Sequence, residues 1–403
     1  MDGGSSIESG RPRFPALDPE PPPSARRRRV AVRLAVTAVV LAALAGGGYL
    51  VGPGQHAAPA SARKSISARY LSAAPVARIV SITPKDYLAL SDLREGRATL
   101  LKNLGPMTST PVPSLDQRYL VSPLGQLIAL RGPGSLGVVG SKISFNGYQE
   151  PAFWGSLADH DLYAVVLDSS AGFGSTENPI SLQALATGRS VRLGTGDNVT
   201  GDPARPGVFT SVAAPIRATA QPNQAFPDSR VELRDAGRTK VTLATAAQLD
   251  RDARLPPGTQ AALFPMPDPA GDKIAVAVQP TSAVSRASVV VMTRTGHFIQ
   301  AFSGLSGLIA PVWSPSGKSL AFATTGPQAQ LYIWGGSRTE RVRLPAGQYG
   351  SCVWSPDSAW ILCPAPAQGS SAGRQTWLLT SATGSTTVHT SGPGFPIAWL
   401  GGS

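Results

Sequence analysis

Histidine and cysteine are the side chains most often recruited for catalysis or metal binding, and this chain of 403 residues has four of the first and two of the second. His56, His160, His297 and His389 are scattered, and no His-x3-His or Cys-x2-Cys pair offers the ligand spacing of a dedicated zinc site. His160 stands between Asp159 and Asp161. Three consecutive residues cannot converge on one ion without a sharp bend, so the triplet reads as a solvated turn. His297 follows Gly296 in another turn, His389 sits near a strand end, and His56 falls in a linker. No Walker loop is present; Gly132, Gly134, Gly194 and Gly196 read as turn glycines rather than a phosphate cradle. Asn198-Val199-Thr200 matches the glycosylation sequon. Asp116 and Asp357 recur at one position of a repeated motif, where a carboxylate accepts hydrogen bonds from turn amides. No catalytic, cofactor-binding or metal-ligating residue is assigned. No cofactor is expected, and the chain is expected not to be an enzyme.

The elements that would carry any site are short strands joined by turns. Pro311-Val312-Trp313-Ser314-Pro315-Ser316-Gly317 leads into Leu320-Ala321-Phe322, a strand, a tight turn and a return strand. Proline presets φ near −65° and glycine accepts positive φ, which is what such a turn needs. The pattern returns at Cys352-Val353-Trp354-Ser355-Pro356-Asp357 and, without a gap, at Pro111-Val112-Pro113-Ser114. Weaker copies centre on Trp154, Phe209, Phe264 and Trp399. By subtraction the anchors Pro113, Trp154, Phe209, Phe264, Trp313, Trp354 and Trp399 are 41, 55, 55, 49, 41 and 45 residues apart. One hairpin cannot bury its apolar face alone, and repeats of about 40–50 residues built from four strands are the mark of a β-propeller.

The Trp-Ser-Pro-Ser/Asp core followed by a short apolar strand resembles the TolB-like, or WD40-like (PD40-type), propeller repeats. The resemblance is good over 308–363, fair over 108–170 and poor over 206–304. It implies an all-β propeller and protein partners.

Three strand-like runs at 78–83, 87–91 and 98–103 lack an anchor before them, and the anchor at Trp399 lacks the strands that should follow. The C-terminal strand is therefore expected to complete the N-terminal sheet, closing the ring and removing its edges. Seven anchors predict seven blades; six blades, with 206–304 folded differently, is the alternative. Connections between second and third strands look long at 169–179, 279–287 and 364–374. In an up-and-down blade these emerge on one face, the expected partner site, because loops on a rigid scaffold commonly carry function.

Ahead of the repeats, residues 1–29 form a Gly-, Ser- and Pro-rich tail, expected to be disordered and cytoplasmic. Arg26 to Arg29 and Arg33 precede an uncharged apolar run, 34–51, so 30–52 is expected to be a single transmembrane helix with its N-terminus in the cytoplasm. A cleaved signal peptide is the rival, with cleavage-like sites near Ala60 and Ala62; the long run and long preceding tail favour an uncleaved anchor. Residues 53–75 read as a linker and 76–403 as an extracytoplasmic propeller. Cys352 and Cys363 fall opposite each other in a hairpin centred near Asp357, close enough to bond in an oxidising compartment; the alternative is two small buried residues that never pair.

The net charge is +12, but no basic stripe interleaved with aromatics runs through the chain, so nucleic acid is not an expected partner. The resulting expectation is a cell-membrane protein displaying a propeller that binds an extracytoplasmic protein or envelope component. A transmembrane sensor is one alternative. A hydrolase or lyase with its site in the propeller channel is another, because a site assembled from scattered blades escapes a linear scan.

Overall fold

The computed structural model describes residues 78–93, 97–102, 111–113, 119–121, 127–129, 137–139, 149–156, 162–168, 178–184, 189–205, 208–213, 229–235, 240–256, 261–280, 286–346, 350–365 and 375–400. Among them are seven four-stranded antiparallel sheets. In strand order the second is Val112–Pro113, Tyr119–Val121, Leu127–Ala129 and Gly137–Val139. The third is Gln149–Ser156, Leu162–Asp168, Pro179–Ala184 and Ser190–Thr195. The fourth is Asp197–Gly201, Val208–Ala213, Arg230–Asp235 and Lys240–Thr245, and the fifth Ala261–Pro267, Lys273–Pro280, Ala287–Thr293 and Phe298–Leu305. The sixth is Val312–Trp313, Leu320–Ala323, Gln330–Trp334 and Thr339–Arg343, and the seventh Val353–Trp354, Trp360–Pro364, Gln375–Ser381 and Thr387–Gly392.

The first sheet joins the two ends of the chain. Its innermost strand is Phe395–Trp399, followed by Arg78–Ile82, Leu88–Asp92 and Arg97–Leu100. Ile79 pairs with Trp399 and Ile82 with Phe395 across an antiparallel junction with one register shift, as expected from the two incomplete repeats.

Consecutive sheets are glued face to face by shared apolar clusters. Val80 and Leu88 of the first meet Leu120 and Ile128 of the second. Ile180 of the third meets Val199 and Phe209 of the fourth. Val231 meets Leu263 and Val276 between fourth and fifth, Val291 meets Leu320 and Phe322 between fifth and sixth, and Leu331 meets Trp354 and Ile361 between sixth and seventh. Leu362 and Trp377 of the seventh return to Ile79 and Trp399 of the first. First strands touch first strands between the second and third, third and fourth, fourth and fifth, sixth and seventh, and seventh and first sheets, so they converge on the centre. The fold is a β-propeller. Alternation of side chains on each strand gives one set to the preceding sheet and one to the next, which is why central strands such as Ala287–Thr293 are apolar on both faces.

One anchor is displaced. Phe209, expected on a first strand, lies on the second strand of the fourth sheet and is fully buried there. The first strand is Asp197–Gly201, which has no aromatic residue. The region 206–304 otherwise forms ordinary four-stranded sheets. Between the fourth and fifth sheets the chain makes a short helix, Ala246–Asp252. Thr245 caps it by accepting from the Gln248 amide while the Gln248 side chain accepts from the Thr245 amide. Among the described residues no helix is long and apolar enough to cross a membrane; the expected anchor, 30–52, lies outside them.

Candidate interaction faces

Strand direction divides the connections between two faces. First-to-second and third-to-fourth turns share one, here the turn face. Second-to-third connections share the other, the loop face.

On the turn face the described first-to-second turns of the fifth, sixth and seventh sheets share one device, and the fourth carries part of it. In the sixth sheet Ser314 Oγ accepts from the Ser319 amide at 3.1 Å, its carbonyl accepts from Gly317, and Gly317 takes φ 68°. In the seventh, Ser355 Oγ accepts from the Trp360 amide at 2.9 Å and Ser358 occupies the left-handed position at φ 62°. In the fifth, Asp268 substitutes a carboxylate for the hydroxyl: Oδ1 accepts from the Asp272 and Lys273 amides at 2.8 and 3.0 Å, with Gly271 at φ 81°. In the fourth, Asp202 Oδ1 accepts from the Ala204 amide at 2.9 Å. Asp357 accepts from the Ser355 hydroxyl and the Ala359 amide, the turn role expected for it. Asp116 lies outside the described residues.

These turns also hold one another. A Cβ at Gly271 would stand 2.7 Å from the Ala204 Cβ, and one at Gly317 would stand 2.7 Å from the Ala270 amide nitrogen. The Ser316 amide donates to Ser358 Oγ at 3.0 Å. The Arg294 guanidinium pairs with the buried Asp202 carboxylate and donates to the Gly271 carbonyl, tying fourth and fifth sheets together. Deeper in, Trp313 Nε1 donates to the Met266 carbonyl at 2.9 Å and Trp354 Nε1 to the Val312 carbonyl at 3.0 Å. Each indole therefore stitches its own sheet to the preceding one, a use of the repeated tryptophan that packing alone does not require.

On the loop face the second-to-third connections are 83–87, 122–126, 169–178, 214–229, 281–286, 324–329 and 365–374. The expectation of long loops holds for the third and seventh sheets. It fails for the fifth, because Lys273–Pro280 runs further than anticipated and leaves 281–286, no longer than the sixth sheet's connection. The longest of them is 214–229, between Val208–Ala213 and Arg230–Asp235. Asn178, at the end of the third sheet's connection, is buried, and its carbonyl accepts from the Gly196 amide at 3.0 Å.

Along the described first strands the ionisable side chains are Glu150 and Asp197. Burial pushes the Asp197 carboxyl up to about 6, against a smaller lowering by the Asn198 amide. Among the described residues no group of three or more His, Cys, Asp or Glu could hold a metal. His297 closes the Thr293 turn, its amide donating to Thr293 Oγ1, and His389 lies on an outermost strand opposite Leu378; His56 and His160 lie outside the described residues. The sequon is engaged internally: Asn198 has φ 47° and its Nδ2 donates to the Leu263 carbonyl of the fifth sheet at 2.8 Å. Gly369-Ser370-Ser371-Ala372-Gly373 has the Gly-x-Ser-x-Gly spacing, but it joins two antiparallel strands, not the strand and helix that a nucleophile elbow needs. Cys352 and Cys363 are disulfide-bonded, with Cα atoms 4.3 Å apart, at the register position expected for the hairpin.

No family model matches the sequence, and no curated protein does either. Among solved structures the chain is similar to TolB from Acinetobacter baumannii, at 12% identity over 79% of this chain and 80% of that one, with a TM-score of 0.41. It is similar to the β-propeller domain of Cps50 (Swd1) from Myceliophteria thermophila, at 11% identity over 72% and 88%, with a TM-score of 0.46. A putative TolB from Agrobacterium tumefaciens aligns at 15% identity over 67% and 91%, with a TM-score of 0.39. At these values the likeness carries nothing about ligand or activity.

Proposed function

We propose that this chain is a seven-bladed propeller, anchored through residues 30–52 and displayed outside the cytoplasm, that binds a protein or envelope component and performs no catalysis. The observation that carries the binding reading is the asymmetry of the two faces. Of the connections within sheets, the longest, 169–178, 214–229 and 365–374, all leave from one side of a scaffold whose described first-to-second turns, on the other side, are short and held by their neighbours. Rigid support with variable loops is the usual build of a recognition surface. The anchor is supported by the uncharged run 34–51 behind Arg26 to Arg29 and Arg33. Display in an oxidising compartment is supported by the Cys352–Cys363 disulfide.

The test is affinity capture from native membranes with the full chain beside a variant lacking 172–177. The deletion stops at Glu177 because Asn178 is buried and accepts the Gly196 amide. A component retained by the intact chain and lost by the variant, with unfolding temperature unchanged, is the expected result. Equal retention by both would remove the loop face from the reading.

A further inference from the structure

We infer that the rim of the turn face formed by the outermost strands of the third, fourth and fifth sheets rests on an anionic lipid surface. The inference builds on the anchored reading above and says which side of the propeller faces the bilayer.

Three observations lead there. First, among the described residues four of the six exposed large hydrophobics sit at one kind of position. Val191 is 44% exposed, Val241 40%, Phe298 51% and Ile299 36%. Each is the first or second residue of a fourth strand, just past the third-to-fourth turn, and therefore on the turn-face side. They fall on three consecutive sheets. Second, the strands that carry them, Ser190–Thr195, Lys240–Thr245 and Phe298–Leu305, contain no acidic residue. Exposed Arg189, Arg192 and Lys240 flank Val191 and Val241 in the sequence, Lys240 also pairing with buried Glu232 at 2.9 Å. The corresponding strand of the sixth sheet, Thr339–Arg343, carries Glu340 and no exposed large hydrophobic residue. Third, the chain enters the propeller on this same face. Arg78 opens the second strand of the first sheet, and its carbonyl accepts from the Leu400 amide at the far end of Phe395–Trp399. The linker leading to it from Gly52 has a root-mean-square reach of about 25–30 Å if flexible. A membrane tether ending at Arg78 attaches to the turn face rather than the loop face.

Aliphatic and aromatic tips flanked by arginine and lysine suit the headgroup boundary, where the tips enter the acyl edge and the cations meet anionic lipid. Acidic residues there would be repelled, and these three strands have none. The loop face, with its long connections, then points away from the bilayer and toward whatever it binds.

The test uses the full chain reconstituted into vesicles of phosphatidylcholine, with or without phosphatidylglycerol, that carry a photoactivatable lipid. Cross-linked peptides are mapped by mass spectrometry. Lipid adducts should concentrate at Val191, Val241, Phe298 and Ile299 and rise about tenfold with phosphatidylglycerol, as a small cluster of cations warrants. The double variant Val241→Asp and Phe298→Asp should lose them while keeping its unfolding temperature. Adducts spread evenly over both faces, adducts on the loop face, copy-to-copy cross-links through Phe298 in place of lipid adducts, or a variant that labels like the parent would each overturn the inference. Carbonate extraction scores the anchor separately. A chain that washes off after carrying the rim adducts loses the anchor and keeps the docking rim; a chain that stays without them keeps the anchor and loses the rim.

Discussion

The turn face and the loop face are made from the same repeat, yet they solve opposite problems. On the turn face the described first-to-second turns of the fifth, sixth and seventh sheets are short, their first residue accepts from their own amides, and neighbouring turns touch. Any insertion there disturbs a neighbour. On the loop face the third, fourth and seventh connections have room to lengthen because the sheets are already fixed by their clusters and by the opposite turns. The longer within-sheet connections and the interlocked turns fall on opposite faces.

That comparison predicts a gradient of mutational cost. The largest effect should come from Trp354→Ala, which empties a nearly fully buried site between sixth and seventh sheets and strands the Val312 carbonyl; a loss of about 3–5 kcal/mol in urea unfolding is expected. A loss below about 1 kcal/mol would mean the indole stitches are dispensable. Removing the disulfide by Cys352→Ser with Cys363→Ser opens a short loop, with a sequence separation of 11, and should cost about 3 kcal/mol. Thiol titration of the unfolded parent chain, with and without reductant, would show whether the bond is present.

A gain is expected at Asp197. Its carboxyl is raised to about 6 in the fold from 3.8, so folding disfavours the charged form. The penalty is complete above pH 6 and fades as pH falls from 6 toward 3.8. Asp197→Asn should therefore stabilise the protein by about 1–2 kcal/mol at pH 7.5, and the difference from the parent should close near pH 4. A gap that widens on acidification would refute the desolvation account. Gly317→Ala should cost about 1–2 kcal/mol through its φ of 68° and the approach to Ala270. Smallest of all, deleting 172–177 from the loop face should change stability by less than about 0.5 kcal/mol. If that deletion cost as much as Gly317→Ala, the division between faces would lose its energetic meaning.

How much of this was legible in the sequence depended on where side-chain identity carried the geometry. The sixth and seventh sheets announce themselves because Trp, Ser and Pro each have a separate duty there: indole donor, turn acceptor and fixed φ. The closure of the ring was legible from two incomplete repeats. The fourth sheet was misread because its first strand lacks an aromatic, and the buried Phe209 one strand later drew the eye. A usable signal was present in Asp202-Pro203 and Asp268-Pro269, which match Ser314-Pro315 and Ser355-Pro356 once a carboxylate is allowed to do the hydroxyl's work. The rim residues Val191, Val241 and Phe298 were not legible, since a lone exposed hydrophobe on a strand looks like any other until strand direction places three of them on one side.

The joint between Phe395–Trp399 and Arg78–Ile82 also sets the timetable of the molecule's making. The strand that Ile79 to Ile82 require is the last of the described strands to be synthesised, so an open edge of the first sheet waits through translation of everything between. Six sheets can form as the chain emerges, but the ring stays unsealed until Trp399 arrives. A chain cut short before Phe395 keeps that edge bare, ready to pair with another unfinished chain. Closure of the first sheet therefore waits on the last of the described strands to be made.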